Sequence, residues 1–106
     1  QLLADTSKNS LIKMSDIFIR ETQKRLDSLL HAQSLNDIGK IASEAHTLKS
    51  SAGSYGVKSL QEMAKEFELS AKNSVMPTNK DFNKLKDNVE NSLSAFVQLV
   101  EELCDD

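Results

Sequence analysis

The clearest helical pattern in the chain lies in residues 38–56, IGKIASEAHTLKSSAGSYG. Its apolar positions step by three, four, three, four and three residues; they are Ile38, Ile41, Ala45, Leu48, Ala52 and Tyr55. Because an α-helix has about 3.6 residues per turn, this spacing places all of them on one face. The stretch therefore predicts an amphipathic helix. We expect Ser34 or Asn36 to cap its start, and Gly53 or Gly56 to end it.

Three further helices flank this one, each predicted from apolar residues at helical spacing. The first lies between Lys8 and Leu30, the third runs from a capping-box sequence at residues 59–62 to about Asn73, and the last follows Pro77. Their apolar positions are Leu11, Met14, Phe18, Leu26 and Leu29 in the first, Val57, Leu60, Met63, Ala64, Phe67 and Ala71 in the third, and Phe82, Leu85, Val89, Leu93, Phe96, Val100 and Leu103 in the last. Four helices with short connections predict an all-α, antiparallel up-down four-helix bundle.

The two ends of this bundle carry further local signals. Thr78 stands three residues before Asp81, which predicts the N-terminal cap of the last helix. Residues 2–6 carry two leucines and fit either a short extra N-terminal helix or an arm packed against the end of the bundle. The sequence leaves that choice open.

The composition excludes several classes of protein. At 106 residues the chain is one domain with an ordinary globular mixture of apolar and charged residues. Its net charge of -3 disfavours nucleic acids and anionic membranes as partners. Cys104 is the single cysteine, so an internal disulfide and a thiolate metal cluster are excluded, and the cytoplasm is the expected compartment. No apolar run approaches the ~20 residues that span a bilayer.

His46 is the first candidate for chemistry. It falls roughly 130° from the middle of the apolar stripe of its helix, so we expect its imidazole to face outward. Its neighbours one and two turns away are mostly small; they are Ala42, Ser43, Lys49, Ser50 and Gly53. A neutral imidazole is a nucleophile and a lysine one turn away can neutralise an incoming anion, a pairing that suits phosphate chemistry. On residue type alone, a surface histidine without a function is the alternative.

The surroundings of His46 carry a more specific pattern. Residues 45–52 read AHTLKSSA and are followed by GSYG at 53–56, by Leu60 and by AKEFE at 64–68. Together they resemble the histidine-containing phosphotransfer (HPt) domain of bacterial and eukaryotic phosphorelays, whose core pattern is roughly A-H-x-L-K-[GS]-[SA]-[SA] with a later glycine, here Gly56. Ser50 stands where many members have glycine. Tyr55 and Phe67 replace aliphatic residues and are conservative departures from the family.

The resemblance implies roles for three residues. His46 would accept the phosphoryl group on one ring nitrogen, Nε2, and Lys49 would supply the cation that stabilises it. Glu68 would accept a hydrogen bond from the imidazole. The implied function is to carry phosphate between the aspartates of a donor and an acceptor receiver domain in a multistep phosphorelay. The receiver would supply Mg²⁺, and the domain would have no metal of its own, no ATP site and no autokinase activity.

A receiver must also dock around the histidine. Ile12 and Ile19 lie off the centre of the buried stripe of the first helix, and we expect them to form this partner surface with Ala42, Ser50 and Gly53. The alternative is that the first helix simply has a wide apolar face inside the bundle. We expect a monomer and, from the start at Gln1, a domain excised from the C-terminus of a hybrid sensor kinase rather than a free-standing protein.

Several other functions are alternatives to this one. A non-catalytic helical adaptor would bind a partner and need nothing special at His46. A di-metal carboxylate bundle needs a glutamate three residues before each histidine, where the chain has Ser43 before His46 and Ser28 before His31. Histidine kinase dimerisation domains usually have an acidic residue directly after the histidine, and here that residue is Thr47. His31 fits a helix-terminal role and Cys104 an incidental one.

Overall fold

The computed structural model describes the backbone of residues 4–104 and the side chains of residues 7–104. The described residues form four α-helices: α1 (Ala4–Ser34), α2 (Ile38–Ser54), α3 (Lys58–Lys72) and α4 (Asn79–Cys104). α1 packs against α2 and α4, and α3 packs against the same two neighbours. The predicted all-α, up-down four-helix bundle is confirmed. Residues 4–6 continue α1 instead of forming a separate N-terminal helix, and residues 1–3 of that expectation lie outside the described residues.

The helices differ in length, which makes the bundle elongated. α1 has 31 residues and α4 has 26, against 17 in α2 and 15 in α3, and the molecule measures 53 × 20 × 19 Å. The aromatic rings of Phe18, Tyr55 and Phe96 pack at centroid distances of 4.6–5.9 Å where α2 ends. Beyond this cluster α1 and α4 continue past the two shorter helices. Leu103, predicted to be buried, lies in that extension and is 61% exposed because α2 and α3 no longer cover it.

The core is formed by apolar side chains from all four helices. The largest fully buried ones are Phe18, Leu29, Ile41, Leu48, Leu60, Phe82, Leu85 and Val89. Each contributes roughly 1.5–3 kcal/mol to folding through removal of its apolar surface from water. The apolar stripe of α2 is confirmed, since Ile41, Ala45, Leu48 and Ala52 are buried.

The buried face of α1 differs from the prediction. Met14 was expected inside the bundle and is 50% exposed, whereas Ser15 and Thr22 point inward at 6% and 0% exposure. They continue the row of Phe18 and Leu26 at spacings of three and four residues. Apolar periodicity could not find them because short hydroxyl side chains carry no apolar signal, although they are small enough to be buried on a helix face.

The first three helices end in the same motif. Near each C-terminus one residue has a left-handed backbone, with φ of 54° at Asn36, 75° at Gly56 and 60° at Ser74. The following amide donates to a carbonyl five residues earlier at 2.8–2.9 Å in each case. This Schellman arrangement satisfies late carbonyls of the helix and turns the chain toward the next one. The prediction that α2 ends near Gly53 or Gly56 is confirmed.

The start of α2 does not use either predicted cap. Asp37 is the cap, and its Oδ1 accepts a hydrogen bond of 3.1 Å from the amide of Lys40. Ser34 still belongs to α1, which runs four residues beyond Leu30. Asn36 has the left-handed backbone that ends α1, so it is not in the extended conformation that an N-cap requires.

The prediction for the start of α3 is wrong, whereas the prediction for the start of α4 is confirmed. α3 begins after Val57 without a side-chain cap, so the predicted capping box at residues 59–62 lies within the first five residues of the helix. α4 has the reciprocal cap that was predicted. The amide of Thr78 donates to Asp81 Oδ2 at 2.9 Å, and the amide of Asp81 donates to Thr78 Oγ1 at 3.1 Å. The backbone hydrogen bond from Thr78 lowers the pKa of Asp81, as does the side-chain hydrogen bond with it.

Removal of this cap gives a stability prediction. Thr78→Ala should lower the free energy of unfolding by about 1 kcal/mol, because the amide of Asp81 loses its acceptor at the helix start. Urea unfolding followed by circular dichroism measures the loss. Thr78→Ser keeps the hydroxyl and should retain most of the stability. Equal losses in the two variants would mean that the methyl group, and not the cap, is what matters.

Candidate functional site

His46 lies in the middle of α2 with its side chain 59% exposed, so the predicted outward orientation is confirmed. The four buried residues of α2 hold its opposite face in the core. Small residues surround the histidine on the outer surface of the helix. Ala42 and Gly53 are half-buried and Ser50 is exposed. The rigid helix therefore fixes the backbone of His46, and the imidazole remains accessible to a large partner.

α3 runs antiparallel to α2 and brings a second set of residues to this place. Gly53 lies against Gln61, whose Nε2 would be 2.6 Å from a Cβ added at the glycine. His46 lies seven residues before Gly53 on α2, and Glu68 lies seven residues after Gln61 on α3. Because the two helices are antiparallel, His46 and Glu68 face each other. The register of the two helices thus places Glu68 directly beside the histidine, although 22 residues separate the two in sequence.

Glu68 is a buried carboxylate with three hydrogen-bond partners. Its side chain is 3% exposed; Oε2 lies 2.8 Å from His46 Nδ1 and 3.0 Å from Lys72 Nζ, and Oε1 lies 2.6 Å from Lys49 Nζ. The hydrogen bonds from Lys49 and then Lys72 lower the pKa of Glu68 to about 2, against the opposing effect of burial and with a smaller contribution from His46. The carboxylate is therefore ionised at neutral pH.

This contact favours one tautomer of the neutral His46 imidazole. An ionised carboxylate accepts hydrogen bonds only, so we assign the proton of the neutral imidazole to Nδ1, which donates to Glu68. Nε2 is then the unprotonated nitrogen and carries the free lone pair. The arrangement presents a nucleophilic nitrogen at the surface, an anion behind the ring and an ammonium group one turn away.

The comparisons with known proteins agree with this geometry. The sequence model of the Hpt domain matches residues 13–105. The chain belongs to the Hpt family. Membership gives a phosphotransfer-type role in phosphorelays, with response-regulator receiver domains as the general class of partner. Neither the curated proteins nor the solved structures include a significant match to the chain.

The structure brings together most, but not all, of the residues predicted for the Hpt site. His46, Lys49 and Glu68 form one hydrogen-bonded group across α2 and α3. Lys72 completes this group and was missed, although its place one helical turn after Glu68 is a signal that the sequence contained. Ala42, Ser50 and Gly53 share the outer surface of α2 with the histidine.

Ile12 and Ile19 have a different setting. They precede Leu26 by multiples of seven residues, so all three share one side of α1. Leu26 lines a shallow depression with Val89 and Leu93 of α4, which identifies that side as the seam with α4. Ile19 is partly buried against the core there, while Ile12 is 46% exposed. The predicted wide apolar face thus describes this side of α1 better than a surface around His46 does.

The side of α1 that faces α2 carries another exposed isoleucine. Arg25 of α1 pairs with Glu44 of α2 at 2.5 Å and with Glu21 at 3.1 Å. Ile17 lies four residues before Glu21, so these residues form one row along the helix. Ile17 is 59% exposed, and Phe18 next to it contacts Tyr55 at the end of α2. Ile17 therefore lies on the α1–α2 seam beside the C-terminal half of α2, whereas Gly53 lies on the α2–α3 side.

The described residues hold no group of three or more histidine, cysteine or acidic side chains that could bind a metal ion. In the same part of the chain, no helix combines the length and apolar character needed to cross a membrane. A depression of about 630 Å³ lies between the start of α3 and α4. It includes none of His46, Lys49 and Glu68.

Proposed function

We propose that this Hpt domain carries a phosphoryl group on Nε2 of His46 between the aspartates of two receiver domains. The observation that supports the proposal most is the hydrogen bond between His46 Nδ1 and the ionised, buried carboxylate of Glu68. It selects the nucleophilic tautomer and holds the ring in a fixed orientation.

The transfer step balances without an added reagent. The lone pair of Nε2 forms the N–P bond while the O–P bond of the receiver's aspartyl phosphate breaks, and the aspartate leaves as a carboxylate. The proton stays on Nδ1, so the ring gains positive charge. Glu68 stabilises this charge because it remains anionic, in the way that a carboxylate supports an imidazolium in a catalytic triad. The reverse step returns the phosphoryl group to a second receiver.

The domain contributes positioning and charge more than chemistry. Phosphoryl transfer passes through a loose transition state with charge spread over the phosphoryl oxygens, so an aligned nucleophile and a nearby cation supply most of what is needed. The nearby cation is Lys49 of α2. Its side chain is 29% exposed, and its ammonium group is bound by Glu68. The receiver supplies Mg²⁺ in this proposal.

A labelling experiment tests the function directly. The domain is incubated with a phosphorylated receiver, and the product is tested for stability in acid and alkali and mapped by peptide mass spectrometry. We expect label that is labile in acid, stable in alkali and located on His46. Receiver binding without any transfer of label, found with several receivers, would contradict the proposal and favour a non-catalytic adaptor.

The docking surface gives a matched pair of variants. We propose that a receiver covers the outer face of α2 and reaches Ile17 across the α1–α2 seam, whereas Ile12 on the α1–α4 side stays outside. Ile17→Ser should weaken receiver binding about 5- to 30-fold, the effect expected when an apolar contact inside an interface is removed. Isothermal titration calorimetry with a cognate receiver measures this.

Ile12→Ser is the control for that measurement, because both isoleucines are about half exposed and lie on the same helix. It should leave the affinity unchanged. A larger loss of affinity in Ile12→Ser than in Ile17→Ser would show that the receiver docks at the α1–α4 seam instead.

A further inference from the structure

The positive charge of the groups bound to the Glu68 carboxylate exceeds the charge that is required to neutralise it. One ammonium group is enough to neutralise a carboxylate, yet Glu68 binds both Lys49 and Lys72 in addition to the His46 imidazole. With His46 neutral, two cations and one anion leave this cluster with an excess positive charge. A surplus cation beside a nucleophile is suited to an incoming anion.

The two lysines reach the histidine from opposite directions. Lys49 lies one turn after His46 along α2. Because α2 and α3 are antiparallel and Glu68 is level with His46, Lys72 on the next turn of α3 is level with Ala42, one turn before the histidine. A single oxygen, Oε2, separates the Lys72 ammonium from the imidazole, since it bonds to Lys72 at 3.0 Å and to His46 at 2.8 Å.

Phosphorylation would change the charge balance of this cluster. A phosphoryl group adds roughly -1.5 to -2 at neutral pH, which exceeds what Lys49 alone can neutralise. Lys72 is 62% exposed on a flexible stem, so its ammonium group can move without unpacking the core. The side chain level with it on α2 is the single methyl group of Ala42, which leaves room for that movement.

We propose that Lys72 is a second phosphoryl-binding cation, which turns from Glu68 to the phosphoryl oxygens when His46 is phosphorylated. This inference rests on the proposed function. Lys49 and Lys72 then hold the phosphoryl group from the two sides of His46, while Glu68 keeps its hydrogen bond to Nδ1. The alternative is that Lys72 only forms an exposed pair with Glu68 at a spacing of four residues, as many helices do.

The phosphoryl group itself reports on its neighbours. The domain is phosphorylated with phosphoramidate, a small phosphodonor that needs no receiver, and the phosphohistidine is titrated by ³¹P nuclear magnetic resonance. Lys72→Gln should raise the second pKa of the phosphoryl group by about half a unit, because a nearby cation favours the dianion. Lys72→Arg, which keeps the charge, should titrate close to the wild type.

Lys86→Gln is the matched control, since Lys86 is exposed, lies on the α1–α4 side and carries the same charge. Equal pKa values in Lys72→Gln and Lys86→Gln would overturn the inference, as would a failure of phosphoramidate to phosphorylate His46 in the wild type. Failure of the proposed function looks different. In that case the phosphoramidate product forms and titrates as expected, but no phosphorylated receiver transfers its label to the domain.

Discussion

His46→Gln should abolish phosphoryl acceptance and leave the fold intact. Glutamine has no nucleophilic ring nitrogen, so no label from a phosphorylated receiver should remain on the domain. Its amide can still donate a hydrogen bond to Glu68, and the side chain at this position is 59% exposed. We therefore expect the free energy of unfolding to stay within about 0.5 kcal/mol of the wild type, as for most exposed substitutions. Labelling and urea unfolding on the same preparation measure both quantities.

His31→Gln is the matched control for this variant, because His31 is exposed in the last turn of α1, outside the hydrogen-bonded group of His46. It should accept label at the wild-type rate. Label that persists in His46→Gln would place the phosphoryl group on another residue. A variant that loses its helical circular dichroism would instead make His46 a structural residue, contrary to its exposure.

Glu68→Gln should lower the rate of phosphoryl transfer about 10- to 100-fold. The amide can accept the Nδ1 hydrogen bond, so the ring orientation survives, but the negative charge that stabilises the developing imidazolium is lost. A hydrogen bond to a charged group is worth about 1.5–3 kcal/mol, which corresponds to this range of rates. Rapid-quench measurement of transfer from a phosphorylated receiver gives the rate. Glu66→Gln changes an exposed carboxylate of the same helix and should transfer normally.

The same variant predicts a pH dependence of stability. The pKa of Glu68 is about 2 in the folded protein and 4.5 in its ordinary state, so folding favours the ionised form. The resulting stabilisation is fully present above pH 4.5 and is lost as the pH falls toward 2. The difference in unfolding free energy between wild type and Glu68→Gln should therefore be largest near neutral pH and shrink in acid. A difference that grows as the pH falls would show that Glu68 is not held in its ionised form.

Much of the bundle follows from residues that are close in sequence. The spacing of Ile41, Ala45, Leu48 and Ala52 predicted one face of α2 and thereby the outward direction of His46. The cap of α4 was also predictable, because Thr78 and Asp81 satisfy each other's amides within one turn. These two patterns rest on helix geometry and on hydrogen bonds within one turn, so they are visible without knowledge of how distant residues pack.

The structure differs from the local sequence signals where those signals compete with the path of the whole chain. Asn36 was expected to cap α2, but the longer α1 needed a left-handed residue at that point to turn the chain. Met14 has the spacing of a buried residue in an isolated helix. The direction of the inward face is instead set by the neighbouring helices, and Ser15 and Thr22 occupy it.

The candidate site also has one part that the local sequence determines and one part that depends on how the helices pack. His46 and Lys49 lie one turn apart on a single helix, so their proximity is a property of the local sequence. Glu68 was placed near them by the family resemblance, and nothing in the residues between required it. The contact exists because α3 packs antiparallel on α2 in a register that sets Gln61 against Gly53 and Glu68 against His46.

Packing likewise decides which helix lies against each side of α1. Helical periodicity assigns an angle to each residue of α1, but it cannot say whether α2 or α4 lies at that angle. The order of the helices around the bundle places Ile12 and Ile19 on the side of α1 next to α4 and Ile17 on the side next to α2. Local sequence therefore specifies the helices, their caps and the exposed histidine, while the order and register of the packed helices specify which charges and apolar groups surround it.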